Sequence, residues 1–142
     1  MIYLILIVSL VIAFLIRRKV VYWETINILG FSIDTPLMYI RHPGAYRLLS
    51  WFLVFVLFGL ASFFTEFSLW LRVVLFIVVI LIAEMEGKIK ATHKYRRNIQ
   101  EMLEEDDLDD ETKNNILRDL KKSGSELLKE RRRHMRILSG KF

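Results

Sequence analysis

Three long apolar runs, each bounded by charge, set the pattern of this chain. The first, IYLILIVSLVIAFLI, runs from Ile2 to Ile16 and is closed by Arg17-Arg18-Lys19. The second, LLSWFLVFVLFGLASFF, covers Leu48 to Phe64, and the third, FSLWLRVVLFIVVILIA, covers Phe67 to Ala83. At about 1.5 Å of rise per residue the first run is a little short of a hydrocarbon core of about 30 Å. Basic side chains that reach for the interface close that gap. A secretory signal would place its basic residues before the run and a small-residue cleavage site after it. Here the basic cluster follows, so the run reads as an uncleaved anchor. Only Thr65 and Glu66 separate the other two runs, which predicts a tight helical hairpin with Trp51 and Trp70 near opposite membrane faces.

Beyond Ala83 the pattern changes abruptly. Nothing at Glu84 stops a helix, and Met85, Ile89, Thr92, Ile99 and Met102 continue at helical spacing, so the third run is expected to lead into one long helix. Glu84 with Lys88, and Glu86 with Lys90, stand four apart in the favourable order for ion pairs on a helix face. The block EMLEEDDLDDE, residues 101–111, holds eight acids in eleven residues. It lacks the glycine and the terminal glutamate spacing of a calcium loop. It reads instead as a solvated corner, with Asp109 or Asp110 capping a helix from about Glu111 to Lys122. Ser123 and Glu126 then have capping-box spacing, ahead of a last helix carrying Leu127, Leu128, Met135 and Leu138. Each of these apolar stripes is too narrow for a core of its own and needs a partner surface.

The fold class expected is therefore an all-α membrane protein with three transmembrane helices, the third continuing into a cytoplasmic helical region. Residues 1–83 form the membrane domain, with spans of about 2–16, 46–64 and 67–83 and a cytoplasmic interfacial loop at 17–45. Residues 84–142 form the charged helical region. Composition sharpens the division. The chain of 142 residues is 54% hydrophobic yet 26% charged, and the two properties are segregated. Residues 1–83 carry six Lys/Arg and three Asp/Glu, against fifteen and thirteen in residues 84–142. Basic residues gather at 17–19, at Arg41 and Arg47 and after Ala83, while the turn between the second and third runs carries Glu66. The positive-inside rule then places the N-terminus outside and the C-terminus in the cytoplasm. Cysteine is absent, which excludes disulfides, thiolate metal sites and cysteine nucleophiles.

Candidate chemistry is sparse. Residues 20–38 alternate apolar and polar positions around Leu29-Gly30, as in a short hairpin or an irregular headgroup-layer segment, and Asp34-Thr35-Pro36 marks a turn. Pro43 fits the first turn of the next helix, with Tyr39 and Tyr46 as interfacial residues. Arg72, the one charge within an apolar run, is expected to reach the outer surface near Trp70 and Glu66. His93 has no second ligand at metal spacing, and no metal site is expected. Gly59 and Ser62 are the candidate helix-packing positions of the second span. The tail KERRRHMRILSGKF offers Arg131, Arg132, Arg133 and Arg136 for contact with anionic lipid or a partner; RNA binding would lack an aromatic or glycine pattern, so nucleic acid is not expected.

Tyr39-Ile40-Arg41-His42-Pro43 followed by Tyr46 resembles the RHP signature of the isoprenylcysteine carboxyl methyltransferase family, integral membrane enzymes that use S-adenosylmethionine. In that family the signature precedes a transmembrane hairpin, an acidic pair follows it, and a tyrosine comes further on. Here Glu84, Glu86 and Tyr95 take those places, although Met85 splits the acidic pair and Gly44-Ala45 stands between the proline and Tyr46. The resemblance implies cofactor contacts from Arg41, His42 and Tyr46, with Glu84 shaping the pocket. Three readings of function follow. The first is a non-catalytic accessory or assembly subunit without a cofactor, docking onto membrane lipids and other membrane subunits or onto itself. The others are an S-adenosylmethionine-dependent methyltransferase-like protein and a homo-oligomeric pore or membrane effector.

Overall fold

The structure is a computed structural model that describes residues 2–31, 35–64, 66, 68–104 and 108–138, without the side chains of Ile2, Arg136 and Leu138. Its described residues form six helices and no strand: α1 (Ile2–Ile28), α2 (Leu37–Arg41), α3 (Pro43–Phe64), α4 (Leu69–Leu103), α5 (Asp110–Lys121) and α6 (Gly124–Leu138). The chain is thus all-α, as expected. Asp34 of the expected turn, Thr65 of the expected hairpin turn and residues 105–107 of the acidic corner lie outside the described residues.

α1 does not stop at the basic cluster. It continues through Arg17, Arg18 and Lys19 to Ile28, where a loop was expected. Residues 20–28, expected within a hairpin or an irregular segment, are helical, and Val21, Thr25 and Leu29 are buried at four-residue intervals. Gly30 ends the helix in the left-handed region at φ 91°. The Gly30 N–H bonds to the Asn27 carbonyl and the Phe31 N–H to the Ile26 carbonyl, each at 3.1 Å, a Schellman closure with Phe31 packed onto the core beside Ile26.

α4 is a single helix of 35 residues, about 52 Å long. It runs parallel to α1 over most of that length, since Arg17 meets Glu84 and Gly87 meets Arg18 and Val21. The seam between them is made of residues four apart. On α4 these are Ala83, Gly87, Ala91, Tyr95 and Ile99, and on α1 Ser9, Ala13, Arg17, Val21, Thr25 and Leu29, all buried. Four residues overshoot a turn of 3.6, so each stripe winds slowly around its helix and keeps facing a partner that winds with it. The closest approach is at Gly87, where a Cβ would lie 2.8 Å from the Arg18 carbonyl oxygen. Of the residues whose spacing predicts this long helix, Thr92 and Ile99 are buried, whereas Met85 and Ile89 point outward, at 64% and 52% exposed.

α3 packs against the other side of α1. The expected tight hairpin of α3 and α4 is not formed: the two helices flank α1, touching chiefly where Phe58 meets Phe76 edge-on at 5.2 Å and Arg72 donates to the Ser62 carbonyl. One apolar core, of Leu6, Ala13, Val54, Ala61 and Phe76, fills this end. A second joins the late turns of α1 and α4 to α5 and α6 through Ile26, Leu29, Tyr95, Ile99, Ile116 and Leu127. The narrow stripes of α5 and α6 thereby find their partner in the α1–α4 pair. The caps at Asp109 (to the Thr112 N–H, 3.3 Å) and at Ser123/Glu126 (reciprocal, 2.8 and 3.3 Å) form as the spacing predicts.

Of the described helices, α3 is the one long and apolar enough to cross a membrane. Arg17, Arg18 and Lys19 interrupt α1, and Arg72, Glu84 and Glu86 bracket the apolar run of α4.

Gly87→Leu is expected to force α1 and α4 apart and to cost about 2 kcal/mol, the usual scale of an overpacked contact. The measurement is thermal unfolding followed by circular dichroism. Gly59→Leu is its control, because nothing lies within 4 Å of a Cβ there and no loss of stability is expected.

Candidate functional site

Three helices converge on Arg17. Its guanidinium donates to Ser50 Oγ of α3 at 3.0 Å and to Glu84 Oε1 of α4 at 2.7 Å, and it stacks 4.2 Å from the centre of the Trp51 ring. Ser50 in turn donates to the Arg47 carbonyl at 2.8 Å. Only 3% of Arg17 is exposed, so the side chain expected to reach for the interface is folded inward. A charge this deep persists only when paired, and the short bond to Glu84 supplies the pairing. The next turn repeats the pattern near the surface, with Arg18 bonded to Glu86 at 3.2 Å and Glu86 to Lys90 at 2.8 Å. The expected contact of Glu84 with Lys88 is present at 4.0 Å but is secondary to Arg17.

Beside this pair, the separation of α3 from α4 leaves an open groove of about 440 Å³. Val54, Phe55, Phe58, Phe76 and Ile77 line it, with Trp51 and Glu84 also in its wall. Its surface suits aliphatic or aromatic groups, and the polar atoms at Glu84 are already engaged by Arg17. Around it, α1, α3 and α4 expose an apolar coat that includes Leu4, Val8, Phe52, Phe63, Trp70 and Leu81.

The RHP segment is placed by a cluster of three rings. Tyr39, 2% exposed, lies 5.7 Å from both Trp23 and Tyr46, and Trp23 meets Tyr46 edge-on at 6.4 Å. Tyr39 and Tyr46 therefore clasp α2 and the start of α3 to α1. Arg41 and His42 are exposed, His42 as the residue that ends α2. The four residues implied for a cofactor are thus divided: Tyr46 packs on Trp23, Glu84 pairs with Arg17, and Arg41 and His42 face outward. Of the two helix-packing candidates, Gly59 is exposed with open space beyond it, and Ser62 offers its carbonyl to Arg72.

A second polar cluster locks the far end. Tyr95 donates to Asp119 Oδ2 at 3.0 Å, and Arg131 donates to the same oxygen at 3.0 Å and to the Tyr95 hydroxyl at 3.2 Å. Lys122 bridges Asp119, at 3.3 Å, and Glu130. The Arg96 guanidinium donates to the Lys122 carbonyl. Arg131, expected at a lipid or partner, is thus committed within the chain. Arg132 and Arg133 are exposed, and the Arg136 side chain lies outside the described residues. Burial pushes the Asp119 carboxyl up, but the Tyr95 hydroxyl, the Lys122 ammonium and the Arg131 guanidinium outweigh it and hold the group below the ordinary carboxylate value.

Sequence reasoning missed Arg17 and Ser50 as partners, although the pairing of Arg17-Arg18 with Glu84-x-Glu86 was a usable signal. No protein-family model, characterised protein or solved structure matches the chain.

Glu84→Gln leaves Arg17 buried without its counter-charge and is expected to cost about 3 kcal/mol, the low end for a broken buried pair because Glu84 is 30% exposed. The double variant Arg17→Met/Glu84→Leu is expected to recover most of that loss, which a double-mutant cycle on thermal unfolding measures. The second cluster yields a pH dependence. A carboxyl with its folded pKa below the ordinary 3.8 stabilises the fold above that value and loses the contribution as pH falls through the folded pKa. Below about pH 4, amide exchange in α5 and α6 should therefore accelerate, and Asp119→Asn should be faster at neutral pH and lose this acid step.

Proposed function

We propose that the chain is an integral membrane protein that crosses the bilayer three times and serves as a non-catalytic accessory or assembly subunit. The spans are about residues 2–16 of α1, 46–64 of α3 and 67–83, the apolar run that leads into α4. The basic clusters favour an N-terminus outside and the polar end in the cytoplasm. What favours the extra spans is the handling of charge. Arg17 is covered by Glu84, Ser50 and Trp51, and Arg72 bonds to the Ser62 carbonyl, so neither needs to face lipid alone. The apolar coat is far more extensive than an aqueous surface tolerates, which supports the same placement.

The observation that carries the docking role is the groove between α3 and α4. It is apolar, open to the side and lined by aromatic side chains that can interdigitate with those of another transmembrane helix, in the manner of packed interfaces. Gly59, on the exposed face of α3, adds a place for close backbone approach. The engagement of Glu84 by Arg17 and of Tyr46 by Trp23 favours this structural role over a cofactor pocket.

Photo-crosslinking amino acids at Phe55 and Ile77, compared with Leu4 and Val8 on the outer face of α1, test the proposal in native membranes. A discrete adduct from the groove positions alone is expected. An adduct with a second copy of the chain makes the partner the protein itself, and uniform crosslinking to lipid from all four positions overturns docking. Saturable S-adenosylmethionine binding that is lost in Arg41→Ala/His42→Ala would replace this reading by the methyltransferase one.

A further inference from the structure

We infer that the cleft between α4 and α6 is a binding site for a phosphate-bearing anionic lipid of the cytoplasmic leaflet. This rests on the membrane placement proposed above. The cleft, about 580 Å³, is lined by Lys88 of α4 and by Ser125, Leu128, Lys129, Arg132 and Arg133 of α6. Four cations and a hydroxyl surround it, and no carboxylate lines it among the described residues. The acids nearest in sequence are engaged: Glu126 closes the capping box, Glu130 pairs with Lys122, and Glu84 bonds to Arg17 at 2.7 Å with Lys88 at the longer distance of 4.0 Å. Such a set of guanidinium and ammonium donors around one space matches a phosphate oxyanion.

Depth decides between a lipid and a soluble phosphate. Lys88 follows Ala83, the last residue of the apolar run, by five residues, about 7.5 Å along the helix. The headgroup layer is about 5–8 Å thick on each side of the hydrocarbon core, so Lys88 stands within it. Lys129, Arg132 and Arg133 line the same cleft as Lys88, while Gly124 at the start of α6 sits against Thr92 one turn further on, so these cations meet the phosphate from the cytoplasmic side of Lys88, and Leu128 offers an apolar contact for the lipid. The site thus takes a membrane-bound phosphate from the side, and the commitment of Arg131 to Asp119 and Tyr95 fixes the orientation in which α6 presents Arg132 and Arg133.

The test reconstitutes the full chain in phosphatidylcholine nanodiscs with and without phosphatidic acid and follows retained lipid by native mass spectrometry. Preferential retention of phosphatidic acid is expected. Arg132→Gln/Arg133→Gln should weaken it about five-fold per residue, or about 25-fold together. Lys113→Gln/Lys121→Gln, the same charge change on α5, should leave it unaltered, with circular dichroism confirming that both variants are folded. Equal weakening in the two variants overturns the site in favour of diffuse attraction. Displacement by inorganic phosphate or by RNA at matched phosphate concentration overturns the assignment to lipid. Resistance to carbonate extraction is scored separately: a chain that does not insert overturns the membrane placement, whereas one that inserts without lipid preference overturns this site alone.

Discussion

The architecture depends on how closely α1 and α4 approach. At Gly87 the backbone of one helix lies against the Arg18 carbonyl of the other, with no room for a Cβ between them. That contact brings the Arg17 and Glu84 side chains to 2.7 Å and sets the seam that continues through Ala91, Tyr95 and Ile99. A larger residue at position 87 would spread the helices and lengthen the bond between the buried guanidinium and its carboxylate. Packing and electrostatics at this level are one constraint, because the buried charge is tolerable only at the distance the glycine permits.

From the α1–α4 pair the rest follows in two directions. Toward the apolar end, α3 also packs on α1 and meets α4 chiefly where Phe58 touches Phe76, so a groove is left between α3 and α4. Toward the polar end, the same pair supplies a wide apolar surface on which the thin stripes of α5 and α6 become a core. The Tyr95–Asp119–Arg131 cluster then fixes the order of those helices, each contributing one member. Neither α5 nor α6 buries enough on its own to hold a fold, so their structure is borrowed from helices that begin in the apolar half.

Much of this was legible in the sequence, and the gaps have physical causes. The apolar runs, the uninterrupted passage through Glu84, the Asp109 cap and the Ser123/Glu126 capping box were readable because each rests on local spacing. The continuation of α1 to Ile28 was obscured because the basic cluster looks like an end and the following residues alternate like a strand. The seam was hidden because Ala83, Gly87 and Ala91 carry almost no hydrophobic signal; their smallness, rather than their polarity, is what the packing uses. Attention therefore fell on Met85 and Ile89, which are more hydrophobic and face outward. The partner of Glu84 was sought at Lys88, four residues away, whereas the deeper interaction comes from sixty-seven residues earlier in the chain. At the RHP segment the tyrosines were legible as aromatic anchors, but only the fold reveals that their target is Trp23.

Charge on α4 divides into two kinds by burial, and the division explains how one helix serves both ends. Glu84 points at Arg17, where water is excluded and removing one partner is costly, so it holds the helices together. One turn on, Lys88 is 46% exposed, a position at which an ion pair adds little to stability. On the proposed lipid reading, a cation there can exchange its long contact with Glu84 for a phosphate at small structural cost, and Arg132 and Arg133, which share its cleft, are equally outside the folding core. On the reading proposed above, α4 thus carries its structural carboxylate in the seam and its recognition cation on the face beside it. The boundary between them falls within a single turn of helix, where the proposed bilayer surface lies.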